Sequence, residues 1–343
     1  MISLARRMIR SGGALILRLK FLGDVLKGRV RRIRPQSGDI LLMADAFWGY
    51  NSVPPLKKAR YAPLCVISLI YDLIPITHPE YCAADFVDGF SGALPGLSAR
   101  SQGFITISNA IQTVLKDYLQ EAVDAGATRK PIATWYLGAD IFKEPPTMDD
   151  RTGQPPPIAQ RHRMERTFLM VGTMDPRKGY ELVFEAMSSL WDEGFDYELL
   201  IVGRIGWQCE PLLERMKQSP HYGRRLGVYA DVSDSDLQYL YQNVAALIFA
   251  SNAEGFGLPL VESLQQGLPV IASDIPVFRE IGGRYPSYFR HGDAEDLAKV
   301  LKAFAASPKQ RVEDFSWRSW SEAIEELIPL CLSIQQDAQR NLN

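Results

Sequence analysis

From residue 39 onward the chain alternates short, continuously apolar runs with stretches whose apolar residues recur every three or four positions. The continuous runs occupy 39–44, 64–71, 103–107 and 132–136, then 167–172, 197–202, 245–250 and 269–272. Helical periods fill the gaps, for instance over 109–123 and 180–191. A strand that is apolar on both faces needs cover on both faces, and alternating helices supply it. The chain therefore reads as α/β with parallel, doubly wound sheets. Its 343 residues suit two domains at roughly 150 each. At 46% apolar and 23% charged, it is no disordered, collagenous or disulfide-miniprotein chain.

The alternation breaks between Lys143 and Arg166, where five prolines and many polar residues carry no periodicity. This stretch reads as a linker between two Rossmann-like units. The expected division is an N-terminal unit over 1–145, a linker over 146–165, a C-terminal unit over 166–314 and a final segment over 315–343. In open α/β sheets ligands bind beyond the carboxyl ends of the strands, so the crevice between the units is the expected site.

Charge adds a local feature. The whole chain carries −2, which excludes the general basic excess of a nucleic-acid binder. Yet residues 1–36 hold ten Lys/Arg against the single acid Asp24, a local +9 that leaves −11 for the remainder. Apolar residues such as Leu15, Ile16, Leu19 and Leu22 are interleaved with these cations. The segment suits either a helix lying on an anionic membrane or one packed on the N-terminal unit with its charges outward. Arg18 and Lys20 interrupt its apolar stretch, so it does not read as a signal peptide. The longest apolar run, 63–71, falls short of the roughly 20 residues that a membrane-spanning helix needs. Cys65, Cys82, Cys209 and Cys331 are scattered without metal-ligand spacing, which suits a reducing cytoplasm.

The richest segment is 250–267, ASNAEGFGLPLVESLQQG. A strand ends near Ala250, Gly255 and Gly257 make a turn, Pro259 suits a helix start, and Gly267 suits its stop. Glycine lets backbone N–H groups approach a ligand, and a helix start favours negative charge, so the turn is a seat for phosphate or sugar oxygens. Glu254 and Glu262 flank it with seven residues between them, and carboxylates accept pairs of hydroxyl hydrogen bonds.

In this segment the chain resembles the retaining glycosyltransferases of family 4, in the mannosyltransferase-like subgroup. These have the GT-B fold, two Rossmann-like domains facing a cleft, and use nucleotide-sugar donors. The Glu254/Glu262 pair in EGFGLPLVE resembles the family's signature, and VGTMDPRKG (171–179), IVGRIGW (201–207), YADVSDSDLQYLY (229–241) and GLPVIASDIPVFREIGG (267–283) match in order and spacing. The resemblance implies that Glu254 holds the donor sugar hydroxyls, that Gly255, Phe256, Gly257 and Leu258 shape a loop with backbone amides for the donor, and that Glu262 binds the ribose. It implies that Lys178 and Arg177, at the start of the next helix, neutralise the diphosphate in place of a metal. Thr173 stands where many members carry Arg or Lys. Gly203 closes the second strand of the unit, and the backbone around Ala230 and Val232 would meet the base.

In the N-terminal half, YDLIPITHPE (71–80) resembles the segment lining the acceptor side, with Tyr71 in place of the family's histidine. Asp72 and His78 are then the candidates for acceptor contact and proton handling, with a weaker match at Ser108 and Asn109. A usual member opens with a strand and a glycine-rich loop. Here Gly12 and Gly13 lack a preceding strand, which suits a shortened unit or a piece of a longer chain. The expected function is transfer of a hexose, by the subgroup's habit mannose from GDP-mannose, to a saccharide or polyprenyl-linked acceptor, with no metal and no further cofactor. The setting would be cytoplasmic, peripheral on the membrane's inner face. A catalytically degenerate nucleotide-sugar-binding protein and a GT-B epimerase or hydrolase remain the alternatives. Trp207 is expected to pack at the domain edge, and Trp317 with Trp320 to anchor a C-terminal helix over 315–335 that crosses back to the N-terminal unit.

Overall fold

The computed structural model describes residues 36, 38–44, 47, 64–140, 156–307 and 311–340. The expectations placed on residues 1–35, and on the linker before residue 156, lie outside these described residues.

The described residues form ten strands in two parallel sheets. The first comprises β1 (Ile40–Met43), β2 (Cys65–Ile70), β3 (Gly103–Thr106) and β4 (Ile132–Thr134), in sequential order. Helices α1 (Ile74–Thr77), α2 (Ala84–Arg100) and α3 (Asn109–Asp124) connect these strands. The second sheet comprises β5 (Thr167–Val171), β6 (Glu198–Val202), β7 (Leu226–Tyr229), β8 (Ala246–Phe249), β9 (Val270–Ser273) and β10 (Ser287–Phe289). Its helices are α4 (Tyr180–Asp192), α5 (Glu210–Gln218), α6 (Asp234–Asn243), α7 (Leu258–Gln265), α8 (Pro276–Gly282) and α9 (Ala294–Ala306), and α10 (Trp320–Arg340) ends the described chain. Parallel strands need long crossovers, and the helical periods seen in the sequence provide them.

The second sheet runs β10-β9-β8-β5-β6-β7. Its order reverses between β5 and β8, so the loops leaving those two strands diverge to opposite faces and open a crevice between them. Strands β6, β8 and β9 are buried along their whole length, which explains their unbroken apolar sequences. The sequence runs missed β7 and β10, the two edges of this sheet. Edge strands of three or four residues need less apolar surface; β7 includes Gly227 and β10 begins on the exposed Ser287.

Helix α10 does cross back, though it begins at Trp320, and it touches all four strands of the first sheet. Ala323, Cys331 and Ile334 form its buried stripe. Trp135 Nε1 donates to the Ala323 carbonyl at 2.6 Å, and Trp317, just before the helix, donates to the Leu137 carbonyl at 2.8 Å. Trp320 enters through its backbone, whose N–H donates to Asp140 Oδ1 at 2.9 Å.

A second tie joins the units near the cleft. Glu280 on α8 accepts from the N–H groups of Asn109 (2.6 Å) and Ala110 (2.8 Å) at the start of α3. A carboxylate at a helix N-terminus meets both free donors and the positive end of the dipole. The Tyr136 hydroxyl donates to Glu280 at 2.9 Å, and burial together with this carboxylate pushes the phenol up to about 12.

Candidate active site

The crevice at the β5/β8 reversal is where the sequence's charged candidates converge. After β5 the chain passes through Gly172 and Thr173 into a 3-10 turn, Pro176–Lys178, and only then into α4. Arg177 and Lys178 therefore stand before the helix and not in its first turn, as the sequence had suggested. The cap, Gly179, is left-handed (φ +70°), and a Cβ there would fall 2.1 Å from the Ala250 carbonyl oxygen. Only glycine lets this loop close onto the end of β8. One backbone bond and one side-chain bond fix the register: the Asn252 N–H donates to the Arg177 carbonyl at 2.7 Å, and Arg177 Nη1 donates to the Ala253 carbonyl at 2.9 Å.

That lacing delivers both cations to Glu254. Lys178 Nζ donates to Glu254 Oε1, Ser251 Oγ donates to the same oxygen at 2.9 Å, and Arg177 Nη1 lies 3.0 Å from Oε2. The side chains of Lys178 and Glu254 are only 14% and 10% exposed, so the pair is shielded from bulk water. Burial alone would raise the Glu254 carboxyl. Lys178 and Arg177 outweigh it and hold the group below the ordinary carboxylate range. The Lys178 ammonium also lies 5.4 Å from the centroid of the Phe249 ring, and Asp175 Oδ2 lies 3.6 Å from Arg177. Asp175 Oδ1 is buried with no hydrogen-bond partner among the described residues.

The turn that follows presents backbone donors. Gly257 caps α7 in the left-handed region (φ +100°), with Pro259 in the first turn of the helix. Among the described residues, the N–H groups of Phe256, Gly257 and Leu258 donate to no protein acceptor. Free amides at a helix start form a seat for anionic or hydroxyl oxygens. The Phe256 ring is buried against Tyr136 and Trp317, with centroids 6.5 and 5.7 Å away, which fixes the turn without occupying the amides. Glu262, one turn into α7, has a different environment. The Tyr241 hydroxyl donates to it at 3.2 Å, and burial pushes its carboxyl up.

The N-terminal sheet reaches the same place. A Cβ on Gly255 would lie 2.2 Å from the Tyr71 carbonyl oxygen, so the turn after β8 rests on the backbone at the end of β2. Ser108 Oγ, after β3, donates to the Gly255 carbonyl at 2.8 Å. Asp72 follows Tyr71, and its Oδ1 accepts from the Ile74 N–H at 3.1 Å. Burial raises its carboxyl, opposed by that N–H and by the charges of Arg177 and Lys178. Asp72 thus joins the cluster from the opposite wall. His78 does not: it caps α1, its Nδ1 is 2.8 Å from Thr77 Oγ1, and its ring stacks on Tyr81.

The remaining candidates line the same rim. Thr173 is exposed after β5, Gly203 follows β6, and Ala230 and Val232 follow β7. Trp207 lies on the loop after β6 and is 38% exposed. Residues that sequence reasoning missed are Ser251, Asp175 and Glu280. All three sit inside the matched segments without any spacing of their own, and Glu280 matters through partners 144 to 171 residues away. Among the described residues, no group of three His, Cys, Asp or Glu residues is placed to hold a metal ion.

The family model described as glycosyl transferases group 1 matches residues 157–316, the span that carries Arg177, Lys178, Glu254 and Glu262. Residues 157–316 belong to the group 1 glycosyl transferases. The group 1 domain and the sheet before it together align with the serotype-specific mannosyltransferase WbdA of Escherichia coli, at 33% identity over 301 residues. The match takes in 84% of this chain but 36% of that protein, so the chain spans about a third of its relative. An O-antigen chain mannosyltransferase B, also of Escherichia coli, is 26% identical over 264 residues, covering 75% of this chain and 64% of the relative. The trehalose 6-phosphate synthase of Burkholderia multivorans superposes with a TM-score of 0.64 at 12% identity, over 90% of this chain and 73% of that one. The two-sheet architecture, with the group 1 domain as its second half, is the GT-B fold.

Proposed function

We propose that the chain is a retaining glycosyltransferase that moves mannose from a nucleoside diphosphate sugar, with GDP-mannose the first choice, to a saccharide acceptor during polysaccharide synthesis. The observation that carries this reading is the convergence of Lys178, Arg177 and Glu254 beside three free amides at the strand-order reversal. Breaking a glycosidic phosphate bond builds negative charge on the departing diphosphate and positive charge on the sugar carbon. Preorganised cations and amides stabilise the first without reorganising at the moment of reaction. Lys178 and Arg177 take that role here, which makes a metal ion unnecessary. Glu254, kept ionised by the same cations, exchanges part of its contact with them for the sugar hydroxyls when the diphosphate arrives. Asp72 faces this cluster from the acceptor wall and orients the incoming hydroxyl. With no protein nucleophile in the proposal, the departing phosphate oxygen takes the proton on the same face, which gives retention.

The names of the relatives support mannose as the sugar and surface polysaccharide as the product. A polyprenyl-linked acceptor at the membrane surface suits the basic residues 1–36. No helix among the described residues is long and apolar enough to cross a membrane. The test is incubation of the full chain with GDP-mannose and mannose-terminated oligosaccharides, with and without EDTA. An EDTA-insensitive product whose new linkage is α by NMR supports the proposal. Donor consumption without any acceptor product overturns it.

A further inference from the structure

At the amino ends of β3 and β4, across the first sheet from the cleft, the C-terminal halves of α2 and α3 enclose a cavity of about 340 Å³. Pro95, Tyr118, Leu119 and Val123 give it apolar walls. Its volume falls at the lower end of the roughly 300–1,000 Å³ of ligand pockets. The four residues of β3 set it roughly 13 Å from the cleft side of the sheet. Two polar groups in the wall lack what burial demands. Ser98 is 9% exposed, and its Oγ is buried with no hydrogen-bond partner among the described residues. Lys130 Nζ donates to the Ser98 carbonyl and pairs with no carboxylate among the described residues. Burial pulls the Lys130 ammonium below the ordinary lysine range, with no counter-charge among those residues to oppose it.

Lys130 and Thr128 also line a second cavity, of about 460 Å³, which Arg129, Asp337 and Arg340 complete beside the end of α10. Lys130 therefore stands where an apolar space meets a polar one. We propose that this corner binds an amphiphile with a single hydrocarbon chain and an anionic head, the chain between α2 and α3 and the head against Lys130 and the Ser98 hydroxyl. An anion gives the desolvated ammonium its missing counter-charge, and the same head gives the Ser98 hydroxyl an acceptor. Arg129 and Arg340 add positive charge from the adjoining cavity. Two acids share these walls, and neither meets Lys130. Asp337 lies 3.4 Å from Arg340, and Glu121 is exposed, where water and salt screen it. Depth selects a single inserted molecule over a bilayer surface, because a planar array of headgroups does not reach a wall in which Ser98 is buried.

Calorimetric titration of decyl phosphate into the full chain tests it, with the amphiphile held below its micelle-forming concentration and with decan-1-ol and inorganic phosphate as comparisons. Lys130→Met removes the charge and keeps the stem. Ala99→Phe fills the apolar cavity from an exposed position on α2. Both sites lie outside the cleft, and an unchanged melting temperature verifies the fold of each variant. The expected result is one equivalent of decyl phosphate bound at least tenfold more tightly than either comparison, with affinity reduced at least tenfold in each variant. Decan-1-ol or inorganic phosphate binding as tightly as decyl phosphate, or an unchanged affinity in either variant, overturns the proposal. So does capture of the chain by phosphatidylglycerol vesicles without any binding of the dispersed amphiphile.

Discussion

The two walls of the cleft present carboxylates to the same pair of cations and treat them in opposite ways. On the C-terminal wall, Glu254 is bonded by Lys178 and Ser251 and approached by Arg177, and its carboxyl is held low. On the N-terminal wall, Asp72 feels Arg177 and Lys178 only through space, has one backbone donor, and is raised by burial. At Glu254 the charges of the two contacting cations outweigh desolvation, whereas at Asp72 one backbone N–H and the through-space attraction do not. One wall thus holds fixed opposite charges, at the place where the proposed function seats a diphosphate sugar. The other carries a carboxyl that burial raises, on the side where the proposed function puts the acceptor hydroxyl.

The sharpest way to break this contrast is to remove the charged wall. Lys178→Ala and Glu254→Ala should each lower kcat by about 10²–10³, the loss seen when one preorganised stabilising group is withdrawn. Circular dichroism should show the fold unchanged; near-normal turnover in both variants would contradict the role given to this wall. Asp72→Asn should cost less, about 10- to 100-fold in kcat/KM for the acceptor with the donor KM preserved, as expected for withdrawing a charged hydrogen-bond partner. It should also move stability in a defined direction. An acid with a raised folded pKa penalises the native state once pH rises through that value, and not below its unfolded value. Asp72→Asn should therefore melt higher than the parent chain at pH 7, with the gain shrinking toward pH 4. Glu254 has the opposite sign: its stabilisation is present at neutral pH and is lost as pH falls through its lowered pKa.

Smaller effects refine how the walls are held together. Glu280→Ala strips the acceptor from Asn109, Ala110 and Tyr136, and should lower stability by about 1–2 kcal/mol in thermal melts. The Tyr136 phenol, held at about 12 beside Glu280, should titrate nearer its ordinary value in that variant by ultraviolet absorbance. His78→Ala should leave kcat/KM within about twofold, matching the ±0.5 kcal/mol of an ordinary surface change. A large loss there would place His78 in acceptor chemistry and shift the contrast between the walls.

Much of this arrangement was legible in the sequence, because it obeys local rules. Strands buried on both faces read as unbroken apolar runs, and Gly257, Pro259 and Gly267 mark the start and stop of α7 where the backbone requires them. What escaped is non-local. Edge strands β7 and β10 carry too little apolar surface to stand out, the placement of Lys178 depends on Gly179 packing against Ala250, and Glu280 acts on residues of the other sheet. Asp72 and His78 sit in one short motif and look alike by position. Only the fold separates the residue that meets the cations from the one that stacks on Tyr81.

Calorimetric titration of GDP, with UDP and guanosine as comparisons, into the full chain and into Lys178→Ala and Arg177→Ala tests the central claim most directly. The account predicts that a nucleoside diphosphate binds while guanosine does not, and that each substitution weakens binding by about tenfold or more, the equivalent of 1.4 kcal/mol. Equal affinity in all three proteins would show that the diphosphate is held elsewhere and would contradict the account.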